Sequence, residues 1–215
     1  MYHFHIADDH PLFRTALVQV ISQNYPDSSI SQSQTLESTL HDLENLEDVD
    51  LLLLDLNMPG SMDLFGLVTI RETFPGIPVV IVSGNEEQAT VNRALGHGAL
   101  GYISKSLSPE QMSAAITAVL DGKIWVEERF KAALKPISAE EKDLAGKIAS
   151  LTPQQYKVLC LLKEGWLNKQ IGYEIGVTEA TVKAHITAIF RKLNVSNRVQ
   201  AILEMNKLAI HPDEA

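Results

Sequence analysis

With 215 residues, of which 45% are hydrophobic, and a formal net charge of −9, the chain is long and apolar enough for one large domain or two small ones with packed cores. No apolar run approaches the ~20 residues of a membrane span, and MYHFHIADDH lacks the basic, apolar and small-residue segments of a secretory signal, which excludes a helical membrane protein and predicts an unexported, cytoplasmic one. The charge argues against a nucleic-acid partner only as an average: residues 1–120 hold 4 Lys+Arg against 15 Asp+Glu, whereas 151–215 hold 8 against 6.

The first 120 residues alternate short apolar runs with amphipathic stretches, the pattern of an α/β doubly wound, five-stranded parallel sheet covered by helices. Strands are predicted at Tyr2–Ala7, Ser28–Ser33, Asp50–Leu54, Pro78–Val82 and Ala99–Ile103. The runs Leu51–Leu54 and Val79–Val82 are apolar throughout, as central strands require, while the polar SSISQS belongs at an edge or is poorly formed. Residues 121–149, with balanced charge and a break near Pro136, read as a linker.

From residue 150 to 215 the signals are those of a small all-α domain. LTPQQYKVLCLL opens with Thr152 as N-cap, Pro153 at the first helical position and Gln155 completing a capping box, with Leu151 stapled onto Tyr156. Cys160, the single cysteine, lies in this helix as a buried structural thiol. NKQIGYEIG is a short helix ended by Gly176, and Thr178 caps a third, EATVKAHITAIFRKL. In that third helix Val182, Ile186, Ile189, Phe190 and Leu193 form one apolar stripe, and Lys183, Ala184, Thr187 and Arg191 form the opposite face. A helix, a tight turn around Val177 and a helix with a basic outer face make a helix-turn-helix suited to a major groove. A last helix, roughly Arg198–Leu208, carries Val199, Ile202, Leu203 and Leu208 in a mixed apolar pattern that serves core packing or dimerisation equally well.

Asp8 and Asp9 follow the first strand and Asp55 follows the third. In a sheet of order 2-1-3-4-5 these two strands are neighbours where the strand order reverses, and the three carboxylates converge. Crowded carboxylates must be protonated, paired or neutralised by a cation, and for a cation an oxygen-only set favours magnesium over zinc. Ser83 at the end of strand four and Lys105 after strand five add a hydroxyl and an ammonium at the same edge, so that a phosphoryl group on Asp55 would be held from three sides.

ADDHPLFRTAL, LLLLDLNMPG, VVIVSG and GALGYISKS resemble, in order over residues 1–120, the flavodoxin-like receiver domain of two-component response regulators. The resemblance implies Asp55 as phosphoacceptor, Asp9 and Asp55 as direct magnesium ligands, Asp8 acting through water and the Asn57 carbonyl as a further ligand. It also implies Ser83 as the switch hydroxyl, Tyr102 as an aromatic switch and Lys105 as the phosphate-contacting lysine; from its residue type alone, Tyr102 is as well explained by packing. MPGSMDLFG departs from the family in placing five residues between Gly60 and Gly66, a lengthened loop beside Asp55.

Residues 151–202 are similar throughout to the LuxR-type helix-turn-helix of the NarL/FixJ subfamily, with Gln154-Gln155 in place of the usual Arg-Glu pair. That similarity implies that Lys183, Ala184 and Thr187 face bases, that Lys169, Thr181, Lys192 and Arg198 approach phosphates, and that Val199, Ile202 and Leu203 lie in a dimerisation helix. The expected partners are a sensor histidine kinase, double-stranded DNA and a second copy of the chain when phosphorylated, with magnesium as cofactor and no enzymatic role. A magnesium-dependent phosphohydrolase would want an acid/base carboxylate just beyond the nucleophile, where Asn57 supplies neither proton nor base. A vestigial receiver on a phosphorylation-independent DNA-binding protein is opposed by Asp9, Asp55 and Lys105.

Overall fold

The computed structural model describes residues 1–46, 48–136 and 138–208. The chain divides into two units between residues 137 and 138. In the first, β1 (His3–Ala7), β2 (Ser29–Ser33), β3 (Leu51–Asp55), β4 (Val79–Ser83) and β5 (Gly101–Ser104) alternate with α1 (Pro11–Asn24), α2 (Leu36–Asn45), α3 (Phe65–Thr73), α4 (Gln88–Gly96) and α5 (Pro109–Leu120). The strands are all parallel, in the order β2-β1-β3-β4-β5. Every residue of β3 and β4 is buried, because helices cover both faces of the sheet. One face packs Phe4, Ile6, Leu53, Val82 and Ile103 against Leu17 and Ile21 of α1 and Met112 and Ile116 of α5, each such side chain contributing roughly 1.5–3 kcal/mol by leaving water.

β3 and β4 extend one residue beyond their apolar runs, so Asp55 and Ser83 are the last residues of their strands. Asp55 is in register with Val82 and Ser83 with Ser104. The ladder therefore fixes the backbones from which both side chains project. β2 is an edge strand, as its polarity foretold, and its Ser31 and Ser33 have a buried partner. His5 of β1, fully buried, joins the Ser31 hydroxyl at 2.7 Å through Nδ1 and the Ser33 hydroxyl at 2.8 Å through Nε2. Ser33 in turn meets Thr39 of α2 at 2.7 Å. Burial holds the His5 imidazole neutral, lowering its pKa to about 4.

The stretch 121–149, expected as a linker, is divided between the units. Val126 and Phe130 are buried, Trp125 bridges to Gly101 beside β5, and a short helix α6 (Glu128–Lys131) follows, all within the first unit. Beyond Pro136 the chain enters the second unit through α7 (Ala139–Ala149), whose Leu144, Ala145 and Ile148 are buried. Apolar side chains spaced along both halves of the stretch give each a surface to cover, which balanced charge does not reveal.

The second unit continues with α8 (Pro153–Lys163), α9 (Asn168–Ile175), α10 (Glu179–Leu193) and α11 (Arg198–Leu208). Thr152 and Gln155 form the expected capping box, and Thr178 accepts the Thr181 amide at 3.2 Å. Between α9 and α10 the turn needs two glycines. Gly176 adopts φ 71°, and a Cβ on Gly172 would lie 2.7 Å from the Val177 carbonyl oxygen. Val182, Ile189 and Leu193 of the α10 stripe are buried, Ile186 and Phe190 partly so. Leu151, Tyr156 and Cys160 are buried. The Leu208 side chain and residues 209–215 of the expected domain lie outside the described residues. Among the described residues no helix is long and apolar enough to cross a membrane.

Candidate functional site

At the carboxyl end of β1 the side chain of Asp8 turns back to accept the His10 amide at 2.7 Å, while the Arg14 guanidinium donates to the Asp8 carbonyl at 2.6 Å. Across the neighbouring end of β3, Asp55 accepts the Asn57 amide at 3.3 Å. Asp8 and Asp55 are 1% and 2% exposed, and the Lys105 ammonium lies between them, 2.8 Å from Asp8 Oδ2 and 2.9 Å from Asp55 Oδ2. The ammonium also sits 5.0 Å from the centroid of the Phe13 ring, whose face attracts a cation. Burial raises the Asp55 pKa above the ordinary carboxylate value, and the hydrogen bond and charge of Lys105 work against that rise.

The expected residues Asp8, Asp9, Asp55 and Lys105 are thus brought together, and His10 joins them. Its Nδ1 is 2.8 Å from Asp9, 3.1 Å from Asp8 and 3.7 Å from Asp55. One ligand atom from each of Asp8, Asp9, His10 and Asp55 can be chosen so that all lie within 4.8 Å of one another, about the span of a single coordination sphere. Asp8 Oδ2 and Asp9 Oδ1 are buried and lack hydrogen bonds, although each has a nitrogen at 2.8 Å: the contacts are close but the donors are not aligned. Oxygens in that condition fit a hard divalent cation. The sequence signal for His10 is its place next to two carboxylates at a strand end.

Ser83 and Tyr102 lie at the same edge. The Ser83 hydroxyl, fully buried, accepts the Asn85 amide at 3.1 Å, and the Tyr102 hydroxyl donates to the Asn85 carbonyl at 2.7 Å. Burial pushes the Tyr102 phenol up to about 12. Beside Asp55, the lengthened loop closes on itself through reciprocal backbone bonds between Met58 and Ser61, at 3.2 and 2.8 Å, with Leu64 buried beneath it.

In the second unit Lys183, Ala184, Thr187 and Arg191 form an exposed face of α10, with Thr181 exposed near its start and Lys169 exposed on α9. Lys183 pairs with Glu179 at 2.8 Å and holds that carboxyl below its ordinary pKa. Lys192 and Arg198, expected at phosphates, have partners within the unit. Lys192 donates to the Ser150 carbonyl and to Gln155 at 2.9 Å, and Arg198 donates to the carbonyls of Leu162 at 2.8 Å and Trp166 at 3.0 Å. On α11 Ala201 and Met205 face inward, Ile202 is half-buried, and Val199 and Leu203, one turn apart, are exposed.

Residues 4–117 match the response regulator receiver domain, and residues 149–205 match the luxR family of bacterial regulatory proteins. The chain belongs to the two-component response regulators of the NarL/FixJ subfamily, in which a receiver is joined to a LuxR-type DNA-binding domain. It is 43% identical over 208 residues, 94% of each chain, to the glycerol metabolism activator of Pseudomonas putida. It is 32% identical over 197 residues, 91% of each chain, to the nitrate/nitrite response regulator protein NarL of Escherichia coli K12. Its fold is similar, with a TM-score of 0.59 at 21% identity and coverage of 97% and 100% of the two chains, to RcsB from Salmonella enterica serovar Typhimurium, solved bound to promoter rprA in the presence of the phosphomimetic BeF3-.

Proposed function

We propose that Asp55 accepts a phosphoryl group from a sensor histidine kinase, and that this modification controls sequence-specific binding of double-stranded DNA by the second unit, as a homodimer in the cytoplasm. The observation that carries the reading is the ammonium of Lys105 shared between the buried carboxylates of Asp8 and Asp55. A buried carboxylate is a nucleophile only while neighbouring cations keep it ionised, and the same ammonium then faces the oxygens of the transferred group. Magnesium bound by Asp9, Asp55 and the Asn57 carbonyl, with Asp8 acting through water, would neutralise charge as the phosphoryl group moves. The bond from phosphorus to the kinase imidazole breaks as the bond to the Asp55 oxygen forms. Ser83 then turns its hydroxyl toward a phosphoryl oxygen, and Tyr102 is the aromatic group that responds.

For DNA, Lys183, Ala184 and Thr187 are assigned to bases, and Lys169 and Thr181 to phosphates, on the strength of their exposure around α10. Lys192 and Arg198 act chiefly by holding α10 and α11 against α8 and its following loop, and add positive charge near the groove. Val199, Ile202 and Leu203 are assigned to the dimer contact, which gives the exposed pair Val199 and Leu203 an apolar partner. The role is regulatory, with no turnover of an external substrate. Labelling with acetyl phosphate in magnesium tests the core of the reading: Asp55→Asn is expected to abolish it, and undiminished stoichiometry elsewhere would overturn the assignment.

A further inference from the structure

The loop after β4 is tied at one end to the phosphorylation site and at the other to the segment that ends the first unit. Its near end is Asn85, held by the Ser83 and Tyr102 hydroxyls. One residue on, the Glu86 carboxylate gathers three partners onto its two oxygens. Oε1 accepts the hydroxyls of Ser104 and Ser106, and Oε2 pairs with Arg129 of α6 at 2.8 Å. These contacts hold the Glu86 carboxyl down at about 2, so it stays ionised. Arg129 is braced in turn by Glu127 at 2.9 Å and by the Phe130 ring at 4.6 Å. Two side chains of α4 continue the attachment: Gln88 donates to the Phe130 carbonyl at 3.2 Å and Asn92 to the Ala133 carbonyl at 3.1 Å.

We propose that Glu86 and Arg129 form a latch that holds segment 127–134 on the loop after β4, and that opens when phosphorylation of Asp55 moves Ser83 and Tyr102. The proposal rests on the reading of Asp55 as phosphoacceptor. When the Ser83 hydroxyl turns to a phosphoryl oxygen it releases the Asn85 amide, and Glu86 lies one peptide further along the same short loop. The carboxylate cannot follow that loop and keep Ser104, Ser106 and Arg129 together, because the two serines are fixed at the end of β5 while Arg129 is fixed on α6. Glu86 and Arg129 are both partly exposed, and ion pairs of that kind are individually weak, which suits a contact that must open. Since segment 127–134 lies on the way from the bridge at Trp125 to the second unit, its release is the first event by which the chain beyond it can sense the phosphoryl group.

The test uses the full chain with and without magnesium and beryllofluoride, reading hydrogen exchange of residues 127–134 and the affinity for beryllofluoride. In the wild type, beryllofluoride is expected to speed exchange across 127–134. Glu86→Gln and Arg129→Ala should show the faster exchange without it. By reciprocity a variant already open should bind beryllofluoride more tightly, by about fivefold. Arg129→Lys, which keeps a cation facing Glu86 and Glu127, should leave both readouts nearer wild type than Arg129→Ala does. If the single variants speed exchange while leaving beryllofluoride affinity unchanged, the pair is a static brace and the latch is overturned. If beryllofluoride binds the wild type with no change at 127–134, the latch is overturned and the Asp55 reading stands. If beryllofluoride fails to bind, both fall together.

Discussion

At the strand ends of the first unit, Asp8 and Asp55 are withdrawn from water and share one ammonium, whereas Lys183 and Arg191 of α10 stand in solvent, Lys183 beside the exposed carboxylate of Glu179. The difference sets what each region can tolerate. In the first, each group is the counter-charge of another, so removing one strands the rest at a cost of several kcal/mol. In the second, each side chain is separately screened and separately replaceable. A switch needs the first arrangement, since a change at one atom must be felt by its neighbours, and a reader of many DNA sequences needs the second.

Lys105→Ala should produce the largest effect, because it leaves two buried carboxylates facing each other. A loss of about 3 kcal/mol is expected in urea unfolding without divalent cations, most of it recovered by millimolar magnesium. A loss well under ~1 kcal/mol would place the site among ordinary surface pairs and erase the contrast. His5 makes the buried side of the comparison measurable by pH. Its folded pKa of about 4 lies below the unfolded 6.5, so between those values the unfolded chain binds a proton that the native one does not. Stability is therefore lost as pH falls from about 6.5 to about 4, by roughly 3 kcal/mol from this group, and His5→Gln should flatten that part of the profile.

On the exposed side, Lys183→Ala should cost ~1–3 kcal/mol for the preferred DNA site and relax the choice of base. Lys192→Ala should instead weaken all sequences alike and lower the stability of the second unit by about 1 kcal/mol, since two acceptors lose their donor. If Lys192→Ala changes base preference and leaves stability untouched, the division of roles between these lysines is wrong. Smallest is Glu179→Ala, which frees Lys183 from its pair and should slightly strengthen DNA binding at low salt, a gain that vanishes at high salt. Fluorescence titration over a salt series reads these DNA effects.

The parallel sheet, its order and the gathering of Asp8, Asp9, Asp55 and Lys105 were legible because each depends on residue type at a strand end, a local property that topology then multiplies. The caps Thr152 and Thr178 and the α10 stripe were legible for the same reason. What escaped depends on distant partners. Nothing local in Arg198 distinguishes a side chain that reaches two carbonyls more than thirty residues away from one that reaches a phosphate. Trp125, Val126 and Phe130 gave no periodic signal, yet they assign half of the expected linker to the first unit. The Glu86 cluster joins a loop, a strand end and a helix that sequence spacing keeps apart.

The buried imidazole of His5 also has a counting function. Its ring meets Ser31 and Ser33, two residues of β2 that point to the same side, while Ile30 and Gln32 point to the other. If β2 slipped by one position, the ring nitrogens would face an isoleucine and a glutamine in place of two hydroxyls, and Thr39 would lose Ser33. An edge strand whose one apolar side chain is Ile30 has little hydrophobic pattern by which to choose its alignment. Here a histidine and two serines make that choice, so β2 can remain too polar to recruit a foreign strand and still seat in one position.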